Sequence, residues 1–113
     1  MIPDEEPTLS LTTTRSPHAA VVTAVGEIDI ANAERFRAAL LDALATGSSS
    51  LHVDMSGVGF CDSSGLRALV AARNACVEQG ASFDITAVSD QVGYLLAVVG
   101  LTSLREDGSG SPQ

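Results

Sequence analysis

At 113 residues, 45% hydrophobic and 18% charged, the chain is long enough for one packed domain, too short for two, and too apolar to stay disordered. A formal net charge of −8, with six basic residues that are all arginine, argues against nucleic acid as a partner, because phosphates demand a basic surface. No segment approaches the ~20 apolar residues of a membrane span, and the acidic start Met1-Ile2-Pro3-Asp4-Glu5-Glu6 is unlike a basic signal peptide, so no membrane partner and a cytoplasmic location are expected.

Three Phe, one Tyr and no Trp imply an aliphatic core. Two cysteines, Cys61 and Cys76, cannot form a disulfide framework, and no Cys/His cluster has zinc-ligand spacing, so neither a metal nor a cofactor is expected. Residues 1–7 and 106–113 read as solvated tails rich in acids, Pro, Gly and Ser, leaving a domain over residues 8–105.

Leu9, Leu11 and Thr13 alternate with polar neighbours, Arg15-Ser16-Pro17-His18 is turn-like, and Ala19 to Val25 is apolar and β-branched. That pattern predicts a two-stranded hairpin. After Gly26-Glu27-Ile28-Asp29, the apolar positions Ala33, Phe36, Leu40, Ala43 and Leu44 recur at three and four, which predicts a helix ended by Gly47 and the serines that follow. Leu51, Val53 and Met55 alternate with His52 and Asp54 as a third strand, and Ser56-Gly57-Val58-Gly59 is expected to be a loop.

A second helix is expected from near Asp62 to Gly80. At ~100° per residue its apolar arc gathers Leu66, Leu69, Val70, Cys76 and Val77. Arg73 falls inside that arc, as a snorkelling side chain or half of a buried ion pair. Phe83 to Val88 reads as a fourth strand, Asp90 as the cap of a third helix through Val99, and Leu101 to Leu104 as a short terminal strand. The order β-β-α-β-α-β-α(-β) gives an α/β fold. Its sheet is mixed, because helical crossovers require parallel later strands, and its helices pack mainly on one face. The polar alternates His52, Asp54, Asp84 and Thr86 fit an open second face.

The run from Val53 to Leu66 leads a strand into a helix whose first turn carries Asp62-Ser63-Ser64-Gly65. Free amides and the positive end of the dipole there favour an anion, so a phosphate on Ser63 or Ser64 is tolerable. Asp62 has the composition of an N-cap, and serines in a first turn are ordinary, so spacing alone does not separate a functional from a structural role.

The stretch Asp54-Met55-Ser56-Gly57-Val58 followed by Cys61-Asp62-Ser63-Ser64-Gly65-Leu66, with Gly26-Glu27-Ile28-Asp29 upstream, resembles the signature of bacterial anti-sigma-factor antagonists, a STAS-domain family, over residues 8–104. The resemblance implies a non-enzymatic regulator that binds an anti-sigma factor of the serine-kinase kind when unmodified. Phosphorylation of Ser63 would switch it off and a serine phosphatase would reverse the state. It also implies that Asp62 neighbours the phosphoserine, that Ser64 is the unmodified hydroxyl, and that the Asp29 turn lies beside them. The expected partner-binding residues are Asp29, Asp62, Ser63, Ser64, Gly65 and Arg67, on a chain monomeric when free.

Two features depart from the family pattern. Arg105 is followed by an acidic Gly-Ser tail where a further amphipathic helix is common, and Cys61 stands where Met or another apolar residue is usual. Cys61 is read either as a small buried hydrophobe or as a thiol whose pKa, lowered near a helix N-terminus, makes it an oxidant sensor. A Cys61–Cys76 disulfide is incompatible with the helix, since fifteen residues at ~1.5 Å rise separate the Cα atoms by ~22 Å against a limit of ~7 Å. His18 and His52 read as surface residues rather than catalysts, and Ser63 lies outside a Gly-x-Ser-x-Gly frame. The alternative job for this fold is a constitutive or ligand-sensing module, binding a nucleotide or lipid in a stress-sensing or transport assembly.

Overall fold

The computed structural model describes residues 8–45 and 47–98. Its elements are β1 (Leu9–Arg15), β2 (Ala19–Ile28), α1 (Ala33–Ala45), β3 (Ser50–Cys61), α2 (Ser63–Gln79), β4 (Ser82–Val88) and α3 (Asp90–Val98). The expected tails, the terminal strand at Leu101–Leu104 and the helix end at Val99 lie outside the described residues. The four strands form one mixed sheet in the order β1-β2-β3-β4. β1 is antiparallel to β2, while β2–β3 and β3–β4 are parallel, as the α1 and α2 crossovers require.

Alternation decides which face is covered. Ala20, Val22 and Ala24 of β2, Leu51, Val53 and Met55 of β3, and Ile85 of β4 point into one core with the buried sides of the helices. The buried residues of α1 are Ala33, Phe36, Leu40, Ala43 and Leu44, the stripe expected from spacing. On the other face, the imidazole of His52 lies 3.4 Å from the Asp84 carboxylate and 3.3 Å from Ser50 Oγ. These half-exposed polar groups replace a second helical layer.

The strand β3 runs through the segment where a loop is expected. Its inward positions go from Leu51, Val53 and Met55 at spacing two to Val58 and Cys61 at spacing three. The parallel register shifts twice, with Thr23 opposite Asp54 but Val25 opposite Gly57, and Gly26 opposite Val58 but Glu27 opposite Phe60. Each shift adds one residue to β3. These bulges, made easier by Gly57 and Gly59, keep Val58 and Cys61 in the core and turn Phe60 outward. A broken period of two is what made this strand look like a loop.

Across from the bulges Gly26 has φ 122°, and a Cβ there would strike the Thr8 carbonyl oxygen, which accepts a hydrogen bond from the Glu27 amide at 2.9 Å. The position admits glycine and little else.

The buried face of α2 consists of Gly65, Leu66, Ala68, Leu69, Ala72 and Cys76. The sequence-based arc is therefore rotated, because Ala68 and Ala72 form its inner line and let α2 pack closely on α1. Val77, expected inside, is 69% exposed. Arg73 is exposed, its guanidinium donating to Asn74 Oδ1 at 3.3 Å, and it forms no buried ion pair among the described residues. Gly80 closes the helix in the left-handed region, its amide donating to the carbonyls of Cys76 and Val77.

The cap of α3 also differs from expectation. Ser89, not Asp90, supplies it, with Ser89 Oγ accepting from the Val92 amide at 3.3 Å and the Ser89 carbonyl accepting from Gly93 at 2.8 Å. The same hydroxyl donates to the Val58 carbonyl, so the cap also pins the helix to bulged β3. Val92 and Leu96 complete the core.

This assignment of the α2 face predicts that Leu69→Ala lowers the unfolding free energy by about 2–5 kcal/mol, whereas Val77→Ser stays within about 0.5 kcal/mol of wild type. Urea unfolding checks the pair; comparable losses would mean that the face is wrongly assigned.

Candidate functional site

The carboxyl end of β3 delivers Cys61 into the core and Asp62 to the start of α2. Asp62 adopts φ −95°, ψ −171°, the extended backbone of an N-cap. Its amide donates to the Ile28 carbonyl at 3.1 Å, adding a bond across from the end of β2. Its Oδ1 accepts from the Ser64 amide at 2.9 Å, from the Gly65 amide at 3.4 Å, and from the Ser64 hydroxyl. The Ser64 hydroxyl above all holds the Asp62 carboxyl below its ordinary value, opposed by desolvation and helped to a smaller extent by the backbone amides of this turn. The group is ionised at neutral pH.

The two serines consequently differ. Ser64 is half-buried with its hydroxyl committed to Asp62. Ser63 is exposed, and its hydroxyl makes no hydrogen bond among the described residues.

Gly65, expected among the partner-binding residues, is buried. A Cβ on it would lie 2.5 Å from Cys61 Sγ and 2.7 Å from Ile28 Cγ2. Its lack of a side chain lets the first turn of α2 sit directly on the ends of β2 and β3. Cys61 is 4% exposed, and burial, then the charge of Asp62, pushes its thiol up to about 12. That environment supports the packing reading over the oxidant-sensing one, since the reactive thiolate is suppressed. Burial likewise raises the Cys76 thiol.

Asp29 lies in the turn between β2 and α1, half-buried. Its Oδ1 accepts from the Ala31 amide at 3.0 Å and its own amide donates to Asn32 Oδ1 at 3.0 Å. Asn32 was not anticipated. It is 8% exposed, and its Nδ2 donates to the Glu27 carbonyl at 2.9 Å and to Thr8 Oγ1 at 3.1 Å. Its carbonyl accepts from Phe36. The available signal was an Asn directly ahead of the periodic apolar run of α1, an N-cap residue type in the N-cap place.

The first turns of α1 and α2 flank a groove of about 360 Å³. Ala33, Glu34 and Arg37 line it from α1, Ser64, Arg67 and Ala68 from α2, and Ile30 from the turn. Arg37 is paired with Glu34 at 3.3 Å; Arg67 is exposed and unpaired among the described residues. Two large apolar side chains project at this end, Ile30 at 80% exposure and Phe60 at 50%. The structure thus brings Asp62, Ser63, Ser64 and Arg67 together on the start of α2, and Ile30, next to Asp29, lines the same groove as Ser64 and Arg67. Among the described residues no group of three His, Cys, Asp or Glu could hold a metal ion, and no helix is long and apolar enough to cross a membrane.

A family model described as Mlab, STAS domain, matches residues 11–106. An anti-sigma-B factor antagonist of Staphylococcus aureus (strain NCTC 8325 / PS 47) is 26% identical over 103 residues, covering 91% of this chain and 95% of that protein. One from Staphylococcus epidermidis is 27% identical over 86 residues, covering 76% and 80%. Among solved structures, an anti-sigma factor antagonist from Mycobacterium paratuberculosis superposes with a TM-score of 0.76 at 23% identity, covering 86% of this chain and 82% of that one. The unphosphorylated form of the anti-sigma factor antagonist SpoIIAA gives 0.76 at 18% identity, covering 88% and 89%. The structural likeness establishes the shared fold.

Two predictions test the site. Gly65→Ala should cost about 1–3 kcal/mol in urea unfolding, because the added methyl must displace Cys61 or Ile28; an unchanged stability would show that the contact is slack. Asp62→Asn keeps a capping side chain but removes its charge. The folded carboxyl titrates below its ordinary value of 3.8, so its stabilising effect is present above that value and lost as pH falls through the lowered one. Wild type should melt above Asp62→Asn at neutral pH, with the gap closing below about pH 4; a gap independent of pH would contradict this.

Proposed function

The chain belongs to the STAS-domain family, and from that membership and the chemistry of its site we infer that it is an anti-sigma factor antagonist switched by phosphorylation of Ser63. The unmodified domain binds an anti-sigma factor, itself a serine-kinase-like protein, and so frees a sigma factor for transcription. The observation that carries this reading is the division of labour between the serines. Ser64 is consumed by the Asp62 cap, while Ser63 offers, at an exposed helix start, a hydroxyl with no hydrogen bond among the described residues. The names of the relatives in Staphylococcus, anti-sigma-B factor antagonist, and a structural neighbour solved in a phosphorylated form support the same reading.

The switch follows from charge and hydration. A phosphate adds about −1.5 to −2 charges and three strong acceptors. On Ser63 it stands next to ionised Asp62 in a chain of net charge −8, so an interface that buries this turn must dehydrate it or supply cations. Ile30 and Phe60 give the unmodified surface apolar anchors, and Asp29, Asp62 and Arg67 give it polar ones. Gly65 acts from beneath by holding the turn in place.

No base is hydrogen-bonded to Ser63 among the described residues. His52 is engaged with Asp84 and Ser50 on the open sheet face, and His18 belongs to the turn between β1 and β2. A nucleophilic role for Ser63 has no support, and the domain works as a binding module whose modification and its reversal come from a kinase and a phosphatase. We place it in the cytoplasm with its transcriptional partners.

Affinity for candidate anti-sigma kinases of the same genome tests the reading, comparing wild type with Ser63→Ala and Ser63→Glu. Wild type and Ser63→Ala should bind alike, with Ser63→Glu weaker by ~10-fold or more, about 1.4 kcal/mol. Equal binding by all three would overturn the phosphoswitch in favour of a constitutive module. Binding by none, with capture of a nucleotide or lipid instead, would favour a ligand-sensing one.

A further inference from the structure

The groove between the first turns of α1 and α2 holds a cation with no internal partner among the described residues. Arg67 lines it beside Ser64, exposed and without a hydrogen-bond or ion-pair partner among the described residues. It stands four residues after Ser63, one helical turn on the same face. Side chains on a helix lean toward its N-terminus, over the preceding turn, so the turn that carries Ser63 and Ser64 is within reach of an Arg67 side chain; Ser64 lines the groove with it and Ser63 stands one residue before. Across the groove stands Arg37, already tied to Glu34. Five of the six arginines lie among the described residues, and two of them meet in this groove on an acidic chain.

We propose that Arg67 is an intramolecular clamp for the phosphate on Ser63, with Arg37 as a second guanidinium reached across the groove. A guanidinium presents a planar fork of donors that matches two phosphate oxygens, and no covalent bond forms or breaks. In the modified state the clamp draws the phosphate over the groove, occupying Arg67 and capping the opening that unmodified protein presents. Phosphorylation then withdraws a cationic contact from the partner as well as adding a repulsive charge. The proposal rests on the reading of Ser63 as the modified residue and adds what holds the phosphate once it is there.

The charged groups around that phosphate are Asp62 at the cap, Asp29 in the adjoining turn, Glu34 and Arg37 on α1, and Arg67 on α2. The three carboxylates raise the second pKa of the phosphate, whereas the arginines and the α2 dipole lower it. Of these groups, Arg67 is the cation with no carboxylate partner among the described residues.

The test is a ³¹P NMR titration of protein carrying phosphoserine at position 63, installed during synthesis so that no kinase is needed. Arg67→Gln should raise the second pKa of the phosphate by ~0.5–1 unit relative to the otherwise identical protein, and Arg37→Gln by less. Arg67 is exposed, so the variant should fold, and matched far-ultraviolet circular dichroism verifies that it does. Coincident titration curves for the parent and Arg67→Gln would overturn the clamp. Such a result would leave Ser63 as the phosphorylation site intact, just as failure of kinases to modify Ser63 would leave the clamp chemistry intact.

Discussion

The site is organised by one carboxylate. Asp62 gathers the amides of Ser64 and Gly65 and the Ser64 hydroxyl onto one anion, while its own amide extends the β2–β3 ladder to Ile28. The ends of β2 and β3 and the start of α2 are thereby fixed to one another. The orphan amides of a helix N-terminus must be satisfied. Satisfying them from Asp62 leaves the preceding strand and the following helix little freedom of angle. Gly65 makes the arrangement possible, since any side chain there would meet Cys61 and Ile28.

From that constraint comes the asymmetry on which the proposed switch rests. Two adjacent hydroxyls begin α2, and the cap takes one of them. The other is left exposed at the positive end of a helix dipole, where an added phosphate is compatible with the fold yet changes the surface sharply. The bulges of β3 contribute at the same end by turning Phe60 outward, and the Asn32-anchored turn presents Ile30. A small aliphatic domain thus concentrates apolar side chains, an exposed hydroxyl and an arginine unpaired among the described residues in one place.

How much of this was legible in the sequence depended on how far each residue's role is local. The buried stripe of α1 could be read from its spacing because the helix packs one continuous face on one sheet. The Asp62 cap was legible because N-capping is a property of residue type and position. β3 was not, because its bulges interrupt the alternation that identifies a strand, and the glycines that permit bulges also look like turns. Val77 was misplaced because the inner line of α2 is made of alanines, whose small size lowers their apparent weight while permitting helix contact. Ser89 displaced Asp90 as a cap because its hydroxyl has a second acceptor, the Val58 carbonyl, that is distant in sequence. Gly65 was legible as part of a motif, but its burial is set by Cys61 and Ile28 on two other elements.

The most direct measurement is phosphosite mapping by tandem mass spectrometry on the protein isolated from its native cells, during growth and after stress. A single phosphate on Ser63, with occupancy that changes between the two conditions, is the result this account predicts. Phosphate confined to other serines, such as Ser48 to Ser50 or Ser109 and Ser111, with Ser63 unmodified in both conditions, would contradict it.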